Sequence, residues 1–299
     1  MNIARVIGLC SILLFSSCQT TGGPGVPGSD LPKPKVALVL GGGAARGFAH
    51  IGVIRELEQE KIPIDLIVGT SVGSLIGAIY AAEKNSFDLE WTAFQLEKDS
   101  IFDYGILNAF SGMGIAKGEK LEAFVRSKVP VANIEDLKIP FAAVATDLNR
   151  GTRVVLDKGS VATAVRASSA IPGVFQPVSF QGKLLVDGGV VDNIPVDVAR
   201  EKGADIVIAV DIGQQVINFN IADIIDVMLQ SITIMGAENA RFQSKGADVL
   251  IAPKIGDVGM LDFTQKKRCM QAGIEAAQAA MPEIKAKIEE WGRKKLAEK

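Results

Sequence analysis

Residues Ile64–Ala82 read IDLIVGTSVGSLIGAIYAA. An apolar-rich run from Ile64 to Val68 stops at Gly69, Ser71 and Gly73 follow, and almost every residue from Ser74 to Ala82 is small or apolar. The first run has the character of a buried strand. The last has that of a helix apolar nearly all round, which must be buried. Gly69-Thr70-Ser71-Val72-Gly73 therefore places a G-x-S-x-G pattern at a strand-to-helix turn, the setting that exposes a nucleophilic serine. A turn this sharp strains the serine backbone and needs neighbours without a Cβ where strand and helix crowd. It also puts the hydroxyl at the positive end of the following helix, where a developing anion is favoured.

Upstream, KVALVL (Lys35–Leu40) is another short apolar run, and it ends at Gly41. LGGGAARGFAH follows, with Gly41, Gly42 and Gly43 leaving backbone N–H groups bare before a helix begins. Such a segment binds an anion. In acyl transfer the anion is the tetrahedral oxyanion, and each backbone donor contributes about 3 kcal/mol. Arg46 adds charge or braces the loop. Nucleotide binding fits poorly. G-x-G-x-x-G needs glycine where Arg46 stands, the second strand ends in Gly69 rather than an acidic residue, and Asp65 lies at its wrong end. A Walker loop needs Lys and Ser/Thr after Gly47, where Phe48 and Ala49 stand.

A serine hydroxyl needs a base. The single histidine, His50, lies early in the helix after the glycine loop, on a face shared with Gly47 and Ile54. That placement reads as packing or a cap-like hydrogen bond, which leaves a carboxylate as the base. In KLLVDGGVVDNIPV, Asp187 ends an apolar strand and is followed by Gly188 and Gly189. A carboxylate at a strand end reaches a site on that edge, and partial burial would raise its pKa toward that of a useful base. Asp192, Asp147 and Asp211 are alternatives, each with a turn or cap role as the plainer explanation.

Two strand-then-helix units in succession predict an α/β fold with a mainly parallel central sheet and helices on both faces. Further strands are expected at FAAVAT, RVVL, KLLVD, DIVIAV and DVLIA, the first two joined as a hairpin through Asn149-Arg150-Gly151. Helices are expected near 119–128, 161–168, 195–202, 221–240 and 264–280, with a last one starting at Pro282 and running to about 297. In 221–235, Ile221, Ile224, Ile225, Met228, Leu229, Ile232 and Met235 recur at helical spacing. This reads first as core, with an acyl groove or a lipid surface as the alternative. The basic C-terminal segment GRKKLAEK reads as a solvated face.

The chain has 299 residues, 48% hydrophobic and 22% charged, with net charge −2 and 6% aromatics. That balance suits a buried core and argues against a nucleic-acid partner. Arg5, the apolar run Val6–Phe15 and FSSC read as an export signal, too short to span a bilayer. FSSC resembles the cleavage box of bacterial lipoproteins, with Phe15 where Leu is usual. The resemblance implies a signal over residues 1–17, a lipidated Cys18 and export to a membrane, with Thr20 favouring the outer membrane facing the periplasm. A plain secretory cleavage near Ser17 is the alternative. Residues 18–34, rich in Gly and Pro, read as a flexible tether, and 35–299 as one domain. With Cys10 removed and Cys18 acylated, only Cys269 remains and no internal disulfide is possible.

Three segments in order, GGGAARG, GTSVG and DGG, together with ASSAIPGVFQPV and DGGVVDNIPV, resemble the bacterial branch of the patatin-like phospholipases over Lys35 to about Ile212. The resemblance implies that family's three-layer fold and a Ser-Asp dyad without a catalytic histidine. Ser71 would be the nucleophile and Asp187 the general base. Gly42, Gly43 and Arg46 would form the oxyanion hole, and Gly41, Gly69, Gly73, Gly188 and Gly189 would be the motif glycines. It implies hydrolysis of a lipid acyl ester through an acyl-serine, with no metal or other cofactor and a membrane contact through Cys18. A lipid-binding module without turnover and an acyltransferase are the competing functions. Nothing in the sequence fixes the oligomeric state.

Overall fold

The computed structural model describes residues 31–103, 116–213, 221 and 224–298. The proposed signal, Cys18 and most of the tether lie outside them. The strands are β1 Val36–Leu40, β2 Leu66–Thr70, β3 Phe141–Asp147, β4 Thr152–Leu156, β5 Val178–Phe180, β6 Lys183–Asp187, β7 Ile206–Val210 and β8 Val249–Ile251. The helices among the described residues are α1 Phe48–Gln59, α2 Val72–Glu83, α3 Ser86–Gln95, α4 Lys98–Ile101, α5 Glu119–Lys128, α6 Val161–Ser168, α7 Val196–Glu201, α8 Ile224–Gln243 and α9 Lys266–Ala297.

The strands form one sheet in the order β5-β6-β3-β2-β1-β7-β8, with β4 on the far edge of β3. The run β3-β2-β1-β7-β8 is parallel, while β4 and β6 are antiparallel to β3. The fold is thus the expected α/β type, and the hairpin closes where Asn149-Arg150-Gly151 predicts. Alternate residues of one strand serve two cores. Val36, Leu38 and Leu40 face the larger one with α1, α2 and Ala277 and Ile284 of α9. Ala37 and Val39 face the smaller one with α7 and Ala240 of α8. Burial on both faces explains why β1, β7 and the Leu66, Ile67 and Val68 positions of β2 are continuous apolar runs rather than alternating ones.

The C-terminal region departs from expectation. The two helices predicted around Pro282 are one, Lys266–Ala297, with Pro282 inside it. Proline there removes the N–H that would bond the Gln278 carbonyl. Packing overrides that loss, because Ala277, Met281 and Ile284 on either side are all buried and Gln278 Nε2 donates to Glu56 Oε2 of α1 at 3.1 Å. Helices α1 and α9 meet backbone to backbone. A Cβ on Gly52 would lie 2.1 Å from the Met270 carbonyl oxygen, and one on Gly273 would lie 2.0 Å from that of Ala49. Gly273→Ala is therefore expected to destabilise the protein by about 2 kcal/mol through overpacking, despite alanine's better helix propensity, as read from urea unfolding midpoints. An unchanged midpoint would show that the two helices part freely.

Helices α3 and α4 and strand β5 lie outside the elements expected from the sequence. The side chain of Asn85 caps α3 by accepting from the Phe87 and Asp88 amides. Helix α8 differs from the expected core stripe. Leu229 and Ala240 are buried, but Ile224, Val227, Ile234 and Met235 are exposed. Among the described residues no helix is long and apolar enough to cross a membrane.

Candidate active site

The sheet brings two distant segments together by a register argument. Strand β2 pairs with β3 up to Thr70↔Val144, and β6 pairs with β3 from Asp187↔Ala145 onward. Because β4 occupies the opposite edge of β3 from Ala143 to Asp147, overlapping both pairings, β2 and β6 share one edge, running toward each other. Their carboxyl ends meet at Val144 and Ala145. Ser71 follows the last residue of β2, and Asp187 is the last residue of β6.

Ser71 has φ 55° and ψ −126°, a left-handed backbone on a residue with a side chain. Strain of this kind costs about 1–3 kcal/mol and persists only where the surroundings enforce it. Here the Ser71 amide donates to Ser168 Oγ at 2.9 Å, and that hydroxyl donates to the Val144 carbonyl at 2.6 Å. On the other side the Ser71 carbonyl accepts from the Ser74 hydroxyl and amide. The flanking glycines are steric necessities. A Cβ on Gly69 would lie 2.5 Å from the Gly73 carbonyl oxygen, and one on Gly73 would lie 2.1 Å from that of Leu40. Gly188 is equally confined, 2.2 Å from the Val144 carbonyl oxygen.

Both Ser71 and Asp187 are buried, at 4% and 6% exposure. Asp187 Oδ1 accepts the Gly189 amide at 2.8 Å, whereas the buried Oδ2 has no hydrogen-bond partner in ordinary geometry. Burial pushes the carboxyl up to about 6 from 3.8, and interactions with the Ser71 hydroxyl and the Gly189 amide offset part of the rise. The other aspartates weighed from sequence stand elsewhere. Asp192 Oδ2 pairs with Arg153 at 2.9 Å. Asp147 Oδ1 caps the hairpin turn through the Asn149 and Arg150 amides. Asp211 Oδ1 accepts the Gly213 amide at 2.8 Å.

His50 is fully buried, and its Nε2 lies 2.8 Å from the Gly41 carbonyl. A carbonyl only accepts, so Nε2 carries the proton. Nδ1 is buried without a partner, and burial holds the imidazole down at about 4. It is neutral at physiological pH and tied to the glycine loop. In that loop the Gly42 amide donates to Asn193 Oδ1 at 3.1 Å, and Arg46 Nε donates to the Val258 carbonyl at 2.8 Å. Among the described residues no acceptor takes the Gly43 amide. Gly41 continues the sheet by donating to the Val210 carbonyl.

One pocket collects Gly42, Gly43, Arg46, Ser71, Asp187 and Asn193, with Ile232, Thr233, Gly236 and Ala237 of α8 along one side. An apolar cavity adjoins it at Ser71 and Ile171, walled by Leu75, Leu96, Phe102, Leu121, Phe175 and Phe263. Among the described residues its polar lining is Ser71 and Ser169, and none of them is charged. Among the described residues no group of three His, Cys, Asp or Glu side chains is placed to hold a metal ion. Sequence reasoning missed the parts played by Ser168 and Asn193. Both lie in segments it had quoted, ASSAIPG and DNIP, but their side-chain contacts are long-range.

A family model described as patatin-like phospholipase matches residues 38–200. An uncharacterized NTE family protein of Mycobacterium bovis is 41% identical over 179 residues, 60% of this chain and 49% of its own length. Lysophospholipase NTE1 of Scheffersomyces stipitis is 36% identical over 192 residues, 61% of this chain and 12% of its own. The matched region thus spans about half of the first relative and a small part of the second. Among solved structures, VipD from Legionella pneumophila superposes with a TM-score of 0.56 at 16% identity, covering 85% of this chain and 67% of that one, a likeness of fold alone.

Proposed function

Because the chain belongs to the patatin-like phospholipase family, we propose that it is a serine hydrolase of lipid acyl esters, working through a Ser71–Asp187 dyad. The observation that carries this reading is a strained Ser71 beside a buried, partly unpartnered Asp187 carboxyl in one pocket. In the proposed cycle Asp187 accepts the Ser71 proton as Oγ bonds to the ester carbonyl carbon. The carbonyl π electrons move onto oxygen. That oxyanion is held by the Gly43 amide, which bonds to no described acceptor, and by the N-terminus of α2, beside the charge of Arg46. Collapse breaks the bond to the alcohol, which leaves with the proton from Asp187. Water then gives a proton to Asp187, attacks the acyl-serine, and releases the fatty acid as Ser71 regains its proton. A carboxyl at about 6 is mostly ionised at neutral pH yet more basic than an ordinary aspartate.

The uncharged apolar cavity reaching Ser71 suits the acyl chain, and the polar pocket suits the alcohol or head group. The lysophospholipase name of one relative supports phospholipids or lysophospholipids as the substrate class. The test is fatty-acid release from mixed bacterial phospholipid vesicles by the wild type beside Ser71→Ala. Release by the wild type alone supports the reading. No release by the folded wild type, or equal release by both, overturns it, and acyl transfer to an added alcohol without free acid would favour the acyltransferase. Export and acylation at Cys18, which would hold the enzyme at a membrane, remain part of the proposal. Incorporation of a labelled fatty acid that Cys18→Ser abolishes would support them, and retained label would contradict them.

A further inference from the structure

We infer that Asn193 is a positioning residue that aims the oxyanion donor of the glycine loop, an inference that rests on the hydrolase reading above. Its side-chain amide spans Gly42. Oδ1 accepts the Gly42 N–H at 3.1 Å, and Nδ2 donates to the Gly42 carbonyl at 3.4 Å. The orientation of the amide is forced, since a backbone N–H only donates and a carbonyl only accepts. The Gly41–Gly42 peptide is thereby gripped at both ends, its carbonyl by His50 Nε2–H and its N–H by Asn193. In the next peptide the Gly42 carbonyl points to Asn193. A trans peptide sets its N–H opposite its carbonyl, so the Gly43 N–H is directed away from Asn193, and Gly43 lines the pocket that holds Ser71.

The same side chain accounts for two motif glycines. A Cβ on Gly42 would lie 2.5 Å from Asn193 Oδ1, and one on Gly189 would lie 2.9 Å from it. GGG and DGG each therefore contain a glycine that leaves room for one amide between the two loops. Asn193 is itself held from behind, where Gln243 Oε1 of α8 accepts the Asn193 and Ile194 amides and Gln243 Nε2 donates to the Val191 carbonyl. Gly43, not Gly42, is then the working donor, and Asn193 acts through its direction.

The experiment uses the full chain labelled with ¹⁵N-glycine, with wild type beside Asn193→Ala. Hydrogen exchange should find the Gly42 amide protected in the wild type and exchanging about tenfold faster or more in the variant. The Gly43 amide should shift when a phosphonate caps Ser71 in the wild type, and shift less in the variant. With p-nitrophenyl butyrate, kcat should fall about 10²-fold while KM moves less than about threefold, because aim matters only to the transition state. An unchanged Gly42 amide, or a kcat within about threefold of wild type, overturns the inference. If Asn193→Ala does not fold, Asn193→Asp is read by Gly42 exchange and by the Gly43 shift. Its retained acceptor should keep Gly42 protected while Gly43 loses its response to the phosphonate, and an unaltered Gly43 response overturns the inference. A wild type that hydrolyses no ester defeats the hydrolase reading, while the Gly42 exchange still tests the clamp.

Discussion

Ser71→Ala is expected to lower ester hydrolysis by about 10⁴-fold or more while the protein stays folded, because the substitution removes the atom proposed to form the acyl bond. The Ser71 backbone contacts to Ser168 and Ser74 do not involve its hydroxyl, so the turn should survive. Alanine keeps the unfavourable φ of 55°, and glycine would not. Ser71→Gly should therefore be as inactive as Ser71→Ala and more stable than it, by about 1 kcal/mol in urea unfolding. Residual turnover within about tenfold of wild type in either variant would remove Ser71 from the chemistry. Equal stability of the two variants would mean that the turn is not strained.

Asp187→Asn should trade activity for stability in a pH-dependent way. The folded carboxyl titrates at about 6 rather than 3.8, so the folded state holds a proton that the unfolded chain has already released. Stability from this group is present below about pH 4 and is lost as pH rises through about 6. At pH 8 the ionised, buried carboxylate costs on the order of 2–3 kcal/mol. Asparagine retains an oxygen for the Gly189 amide and carries no charge. It should raise the melting temperature by several degrees at pH 8 and have little effect near pH 4. Hydrolysis should fall about 10³-fold or more at every pH. In the wild type, kcat/KM should rise about tenfold per pH unit below about 6 and level off above it, as an ionised base requires. His50, held at about 4 and bonded to Gly41, is not placed to produce that limb.

Much of this architecture can be read from the chain because it depends on local pattern. β1 is an apolar run stopped by Gly41, β2 runs through Gly69 to Thr70, and the G-x-S-x-G segment turns where the two glycines leave no room for a Cβ. The placement of Asp187 at the end of an apolar strand is equally local. The meeting of that strand end with the end of β2 is not local, since it follows from two strands sharing one edge of β3. The clamp by Asn193 joins residues 151 positions apart and leaves no periodic trace. Pro282 gave a misleading signal because helix packing against α1 outweighed the missing N–H. Helix α8 misled through its composition. Its apolar residues are shared between a pocket wall and an exposed face, and spacing alone does not separate these from core.

The central claim, that the Ser71 hydroxyl is activated by Asp187 without a histidine, is tested most directly by mapping the site and rate of fluorophosphonate labelling as a function of pH. Wild type should carry one phosphonyl adduct, on the peptide containing Ser71, formed at a rate that climbs through pH about 6 and then levels off. His50→Gln should keep that profile to within about tenfold in rate, and Asp187→Asn should lose it. An adduct elsewhere in the folded protein, or labelling that survives Asp187→Asn but disappears with His50→Gln, would contradict the claim.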